Sequence, residues 1–205
     1  MSIRLLEPTR SLQSHDEVLA YDHAKLAADR QTRAFAPPFK AMSERLRVVE
    51  ANQRTRRFAV ITEQALASYW GDELDAATKA LGGEALLIAR NDRESPRFTR
   101  YFKHHSPSEV ENLGLESQLD HVKVWPALLR SEPEATLQAF AARFDECDAE
   151  GRAALHRLAL AQDASNTQRA QEILPLVDDI NTLRTNTYAD LMKIGGKRWA
   201  RSFFT

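Results

Sequence analysis

"FKAMSERLRVVEANQRTRRFAVITEQALASYWGDELDAATKAL", residues 39–81, runs without a proline. Phe58, Ile61, Ala65, Leu66, Trp70, Leu74, Ala77 and Leu81 recur along it by threes and fours. That spacing lines up side chains on one face of an α-helix. Gly71 weakens such a helix by about 1 kcal/mol relative to alanine without breaking it. Gly82-Gly83 then predicts a stop or a kink, because glycine enters the left-handed cap conformation without strain.

Working outward, the same chemistry continues. "SHDEVLAYDHAKLAADRQTRAF" (14–35) predicts a first helix, with Ser14 as N-cap and Asp16 and Glu17 at the positive end of its dipole. Pro37 and Pro38 are expected to end or kink it. From 91 to 114, Asn91-Asp92, Pro96, Pro107 and Gly114 punctuate a long connection holding one short helix. Two helices are expected at 115–125 and 133–147, separated by Pro126 and Pro133; Leu137, Phe140, Ala141, Phe144 and Cys147 form the apolar face of the second. A second long helix covers 149–194, interrupted near Pro175, with Ile173, Val177, Ile180, Leu191 and Ile194 on a heptad-like track that Arg184 and Thr187 dilute. Gly195-Gly196 stops it.

Composition agrees. The 205 residues include only 7 glycines and 8 prolines, and no β-branched run alternates with period two as a strand would. The expected fold is all-α: an elongated antiparallel helical bundle with two long helices and several shorter bracing helices. One domain, 1–205, is drawn: 1–38 N-terminal helix and Pro-Pro linker, 39–90 first long helix, 91–148 long connection and short helices, 149–205 second long helix and aromatic-basic tail. Hydrophobic residues at 43% and charged residues at 28% are those of a folded chain, and a formal charge of -1 gives no global field toward polyanions or membranes. The single cysteine, Cys147, excludes an internal disulfide framework and multi-cysteine metal motifs. With early charges at Arg4 and Glu7 and no apolar stretch long enough to span a bilayer, a cytoplasmic setting without transmembrane segment is expected.

Three basic stretches are the candidate interaction surface. In "RNDRESPRFTRYFKHH" (90–105), Ser95 and Pro96 read as N-cap and first helical residue. Phe98, Tyr101 and Phe102 then share one face and Arg97, Arg100 and His104 another, with Lys103 beyond, which gives a corner with a basic rim. Such a rim with a tyrosine has the chemistry to hold phosphates or stack on bases; against that, the aromatics are spaced for burial. "RLRVVEANQRTRRF" (45–58) carries Arg45, Arg47, Arg54, Arg56 and Arg57 scattered around a helix, so a solvated face is the expectation, or one covered by a partner. "KRWARSFFT" (197–205) joins Lys197, Arg198 and Arg201 to Trp199, Phe203 and Phe204: exposed, it would dock on a partner, and folded back it is a hydrophobic plug, the favoured reading.

No catalytic, cofactor or metal residues are assigned. No histidine has a glutamate three residues before it, as a di-iron bundle requires, and His15, His23, His121 and His156 are expected to be surface or interhelical hydrogen-bonding groups. Phosphate-binding glycine loops and the G-x-S-x-G elbow do not occur. Cys147 lies on an apolar stripe and reads as an inert core thiol. The expected role is therefore a non-catalytic structural or protein-interaction protein, self-associating through long helices. The alternative is a nucleic-acid-associated protein that grips phosphates through its arginine clusters.

Overall fold

The computed structural model describes residues 3–103 and 105–204. Those residues form helices and turns with no strand, so the chain is all-α. In order they are α1 (Leu12–Ala28), a 3-10 turn (Arg33–Phe35), α2 (Ala36–Ile88), α3 (Pro96–Phe102), α4 (Pro107–Glu111), α5 (Leu115–Val122), α6 (Trp125–Arg130), α7 (Ala135–Gln138), α8 (Phe140–Gln168), a π-helical turn (Arg169–Ile173) and α9 (Leu174–Arg201).

The helix ends show where reading prolines and glycines as stops goes astray. The N-cap of α1 lies three residues before the expected one: Ser11 accepts from the Ser14 main chain, so Ser14 is helical. It ends at Ala28 rather than 35: Asp29 turns extended and accepts from the Gln31 main chain at 2.7 Å, while the Thr32 hydroxyl donates to the Leu26 carbonyl at 2.8 Å. Pro37 and Pro38 do not end that helix; they sit in the first turn of α2, where main-chain N–H groups have no intrahelical partner to lose. Gly82-Gly83 does not stop α2, which continues to Ile88. Gly82 serves packing instead, since a Cβ there would lie 2.5 Å from Cγ of Pro107 at the start of α4. The stop comes at Arg90 and Asn91, both in the left-handed region.

Pro126, expected as a separator, lies in the first turn of α6, and the helix expected at 133–147 is split between α7 and the start of α8. Pro175 stands in the first turn of α9, after the π-helical turn that divides the second long helix. A proline lacks the N–H for the carbonyl four residues back and its ring crowds that carbonyl, a conflict that a widened turn relieves. Gly196, at φ 79, breaks the helical path within α9. Ser95 and Pro96 start α3 as the sequence implied. Ser106 and Glu109 form a reciprocal capping box on α4, and its hydrogen bonds hold the Glu109 carboxyl below its usual range.

The residues gather into two compact units with separate cores: a first of 1–58 and 163–205, and a second of 59–162. α2 and α8 carry residues of both.

In the first unit, Leu12, Leu19 and Leu26 of α1, Phe39 and Leu46 of α2, and Leu176, Val177, Ile180 and Leu191 of α9 are buried together. α2 runs antiparallel to the returning chain: Arg45 pairs with Asp179 at 2.7 Å, while Arg56, further along, donates to the Ala164 carbonyl. Ile194, placed on the buried track by spacing, is half exposed; it is two residues short of the break at Gly196.

In the second unit α2 again runs antiparallel to α8, with Glu63 against Arg157 at 3.1 Å and Glu73 against Arg143 at 3.2 Å. Leu74, Ala77 and Leu81 of α2 enter a core with Phe98, Tyr101 and Phe102 of α3, Leu119 of α5, Trp125 of α6 and Phe144 of α8. Trp125 is its hub, with ring centroids 5.1–5.9 Å from Phe102, Phe144, His121 and Tyr101. Cys147 is buried beside them and its thiol is pushed up by desolvation. No helix among the described residues is long and apolar enough to cross a membrane.

Candidate functional site

The corner at α3 is closed by acids that sequence spacing did not bring near it. Glu132, itself buried, accepts from Arg100 and, at 2.6 Å, from the Tyr101 hydroxyl; Arg97 pairs with Glu134. Tyr101 is therefore not a surface residue. It is on the i, i+3, i+4 face with Phe98 and Phe102 and buries its ring against Trp125. Burial, and next the Glu132 carboxylate, push its hydroxyl far above the ordinary tyrosine range. Lys103 is exposed and caps α3 in the left-handed region at φ 52. His104, expected on the rim, lies outside the described residues. His121 is held below the usual histidine range by burial and next by the charges of His105 and Lys103.

The tail is folded back. Phe203 and Phe204 are buried in the first unit's core and so are no docking surface: Phe204 lies 6.3 Å from Phe39 and 6.1 Å from Tyr188 between centroids. Trp199 is half-buried, packed edge-on to Phe203 and over Gly195, where a Cβ would meet its ring at 2.2 Å.

Spacing alone left a charged centre in the first unit unrecognised. Arg184 and Asp22 are both 0% exposed, and the Arg184 Nε donates to Asp22 Oδ2 at 2.7 Å. Arg184 Nη1 also donates to the Arg4 carbonyl at 2.6 Å, and Asn181 exchanges two hydrogen bonds with the Leu6 main chain at 2.7 and 3.0 Å. The N-terminal segment is thus strapped along α9. His15 is fully buried and neither ring nitrogen has a hydrogen-bond partner at ordinary geometry, against the expectation of a hydrogen-bonding histidine. Burial first, then the charges of Arg10 and Arg184, hold it below the usual histidine range, opposed by the Glu7 main chain. A signal was present: Leu12, His15, Leu19, Asp22 and Leu26 are spaced alternately by three and four, all buried, so two polar groups occupy a core stripe. Beside this centre a cleft of about 370 Å³ is lined by Arg4, Arg10, Ser14, Glu17, Tyr21 and Arg184. Among the described residues no three His, Cys, Asp or Glu side chains gather as a metal site would need.

α2 offers the remaining surface. Arg45 and Arg47 are tied to Asp179 and Asp16, and Arg56 turns inward to Ala164, whereas Arg54 and Arg57 are exposed and form no ion pair among the described residues. The sequence stripe divides: Leu74, Ala77 and Leu81 are buried, but Phe58 is 61% exposed, Ile61 50% and Leu66 38%. Tyr69, 52% exposed, joins them, its ring edge-on to Trp70 at 5.1 Å. No family model matches the chain, and no curated protein or solved structure matches it either.

Proposed function

We propose that this chain is a non-catalytic interaction protein that self-associates through α2. The observation that carries the reading is the uncovered apolar surface that α2 presents in the second unit, at Ile61, Leu66 and Tyr69. Side chains of this size stay largely in water only at a standing cost, roughly 25 cal/mol for each Å² of apolar surface that a partner would remove from water. Exposed apolar side chains along one long helix are what a partner helix covers. A reducing, cytoplasmic setting suits the lone buried thiol of Cys147.

The nucleic-acid alternative has less support. Arg45, Arg47, Arg97 and Arg100 are each engaged by a carboxylate, which offsets the positive charge these four would offer a phosphate backbone and leaves Arg54 and Arg57 as the arginines of the α2 cluster exposed without an ion pair among the described residues. Light scattering on a size-exclusion column at low and high salt, with absorbance at 260 and 280 nm, separates the two. A protein-only assembly that persists in high salt, and that Ile61→Glu converts to monomer, is the expected result. A wild-type monomer under both conditions overturns self-association, and a 260 nm-absorbing complex that dissociates as salt rises establishes the alternative.

A further inference from the structure

The cleft in the first unit lies between two elements that are each held in place. One is the N-terminal segment, tied to α9 by the Asn181 bonds to Leu6 and by the bond from Arg184 to the Arg4 carbonyl. The other is α1, where Ser14, Glu17, Val18 and Tyr21 recur by threes and fours and so share the helix face that lines the cleft. Arg184, fully buried and paired with Asp22, lines it as well. Two kinds of unused chemistry meet there. Arg4 and Arg10 are exposed, and neither side chain forms an ion pair among the described residues. Leu5 and Tyr21, on the same lining, leave apolar surface in water. At about 370 Å³ the cleft falls within the range of small-molecule sites, roughly 300–1,000 Å³.

We infer that this cleft binds a small apolar monocarboxylate, its carboxylate held by Arg4 and Arg10 and its body laid on Leu5, Val18 and Tyr21. The site stands apart from the self-association reading, which concerns α2. A guanidinium presents its N–H donors in a planar fork that matches a carboxylate, so two of them supply both charge and direction to a small anion. The balance of charge selects the head group. With Arg184 engaged by Asp22, the lining keeps two cations, Arg4 and Arg10, against one carboxylate, Glu17. Glu17 accepts from Gln13 at 3.4 Å and pairs with neither arginine. One negative charge therefore completes the set, whereas a dianionic phosphate ester exceeds it. The apolar body follows from Leu5 and Tyr21: a ligand that covers them removes apolar surface from water, and a bare anion does not.

The test is a titration of the full chain with phenylacetate, followed by the chemical shifts of its amide resonances, with circular dichroism as the check on folding. Saturating shifts should gather at residues 4–6 and 10–21. Phenylacetamide, which keeps the shape and lacks the charge, and acetate, which keeps the charge and lacks the body, should each bind about tenfold more weakly. Arg4→Gln and Arg10→Gln should each weaken phenylacetate about tenfold, and Tyr21→Ser about twofold to tenfold. Phenylacetate that gives no saturating shifts, or shifts gathered elsewhere, overturns the site. Equal affinity for phenylacetamide overturns the arginine clamp; that comparison uses the unaltered chain and so decides even where a variant fails to fold. Affinity unchanged in both arginine variants overturns the placement of the carboxylate, and tighter binding of phenyl phosphate than of phenylacetate overturns the monocarboxylate as the ligand class.

Discussion

In the second unit the core gathers on Trp125, whose ring meets Tyr101, Phe102, His121 and Phe144 at 5.1–5.9 Å. A deep carboxylate, Glu132, is placed at the margin, where the partly exposed Arg100 and the Tyr101 hydroxyl satisfy it. In the first unit the comparable depth holds a full ion pair, Asp22 with Arg184, and a histidine, His15, that burial holds below its usual range. An aromatic core stabilises through area and dispersion, which do not depend on a single partner. A buried ion pair must first offset the desolvation of both charges, so it adds little net stability while making the loss of either partner severe. The contrast shows that heptad-spaced buried stripes specify where a side chain goes, and only its chemistry specifies what its removal costs.

Paired substitutions test that contrast most strongly. Arg184→Ala should cost about 3–5 kcal/mol in urea unfolding, since Asp22 would remain buried without its main cation. Trp125→Ala should cost a similar ~3–5 kcal/mol by opening a cavity. The two losses part on rescue: replacing both Asp22 and Arg184 with apolar side chains of similar volume should recover most of the stability. If the apolar double variant is no more stable than Arg184→Ala, the ion pair is specifying structure rather than merely neutralising a buried charge.

A smaller effect is expected at Gly82. Gly82→Ala would press a methyl group against Pro107, and overpacking of this kind costs about 1–3 kcal/mol. Gly83→Ala, where nothing lies within 4 Å, should be neutral or slightly stabilising by melting temperature. Equal behaviour at both positions would return the pair to the role of a helix stop.

The smallest effect is the pH dependence of the first unit. His15 is lowered in the folded state, so the unfolded chain takes up its proton first as pH falls. Stability is therefore complete above the unfolded value of about 6.5 and is lost as pH falls from there through the folded pKa. His15→Gln should flatten this limb in urea titrations at pH 7 and pH 5. His121 shifts in the same direction and contributes a limb of its own in the second unit, so a slope untouched by His15→Gln would assign the effect there.

Much of the architecture was legible because helical periodicity is local. The stripe of Leu74, Ala77 and Leu81 is buried as spacing implied, and so is the aromatic face of α3. Ser95 and Pro96 start their helix because a cap needs only neighbouring residues. The misreadings share a cause: each asked a local signal to answer a tertiary question. Proline marks a place where an N–H is not needed, which suits a helix start as well as its end, so Pro37 and Pro38 open α2. Glycine marks a missing Cβ, and at Gly82 the space is used by a neighbouring helix. Arg184 was read as diluting an apolar track because its partner, Asp22, is far away in sequence. Tyr101, named for the candidate surface, is buried on the aromatic face that its spacing with Phe98 and Phe102 implied, and Phe203 and Phe204 are buried as the favoured plug reading of the tail expected.

From the sequence alone came the all-α class, the two long helical segments and the inward aromatic face of α3. Tertiary structure decided which part of the α2 stripe is covered, with Leu74, Ala77 and Leu81 buried and Phe58 and Ile61 exposed, that Glu132 and Glu134 engage the basic rim of α3, and that a charged pair stands inside the first unit. The physical reason is one of range. Hydrogen bonding along a helix and the periodicity of its faces involve residues within about four positions of one another. Burial and charge pairing depend on distance in space, which the chain sets only once it has folded.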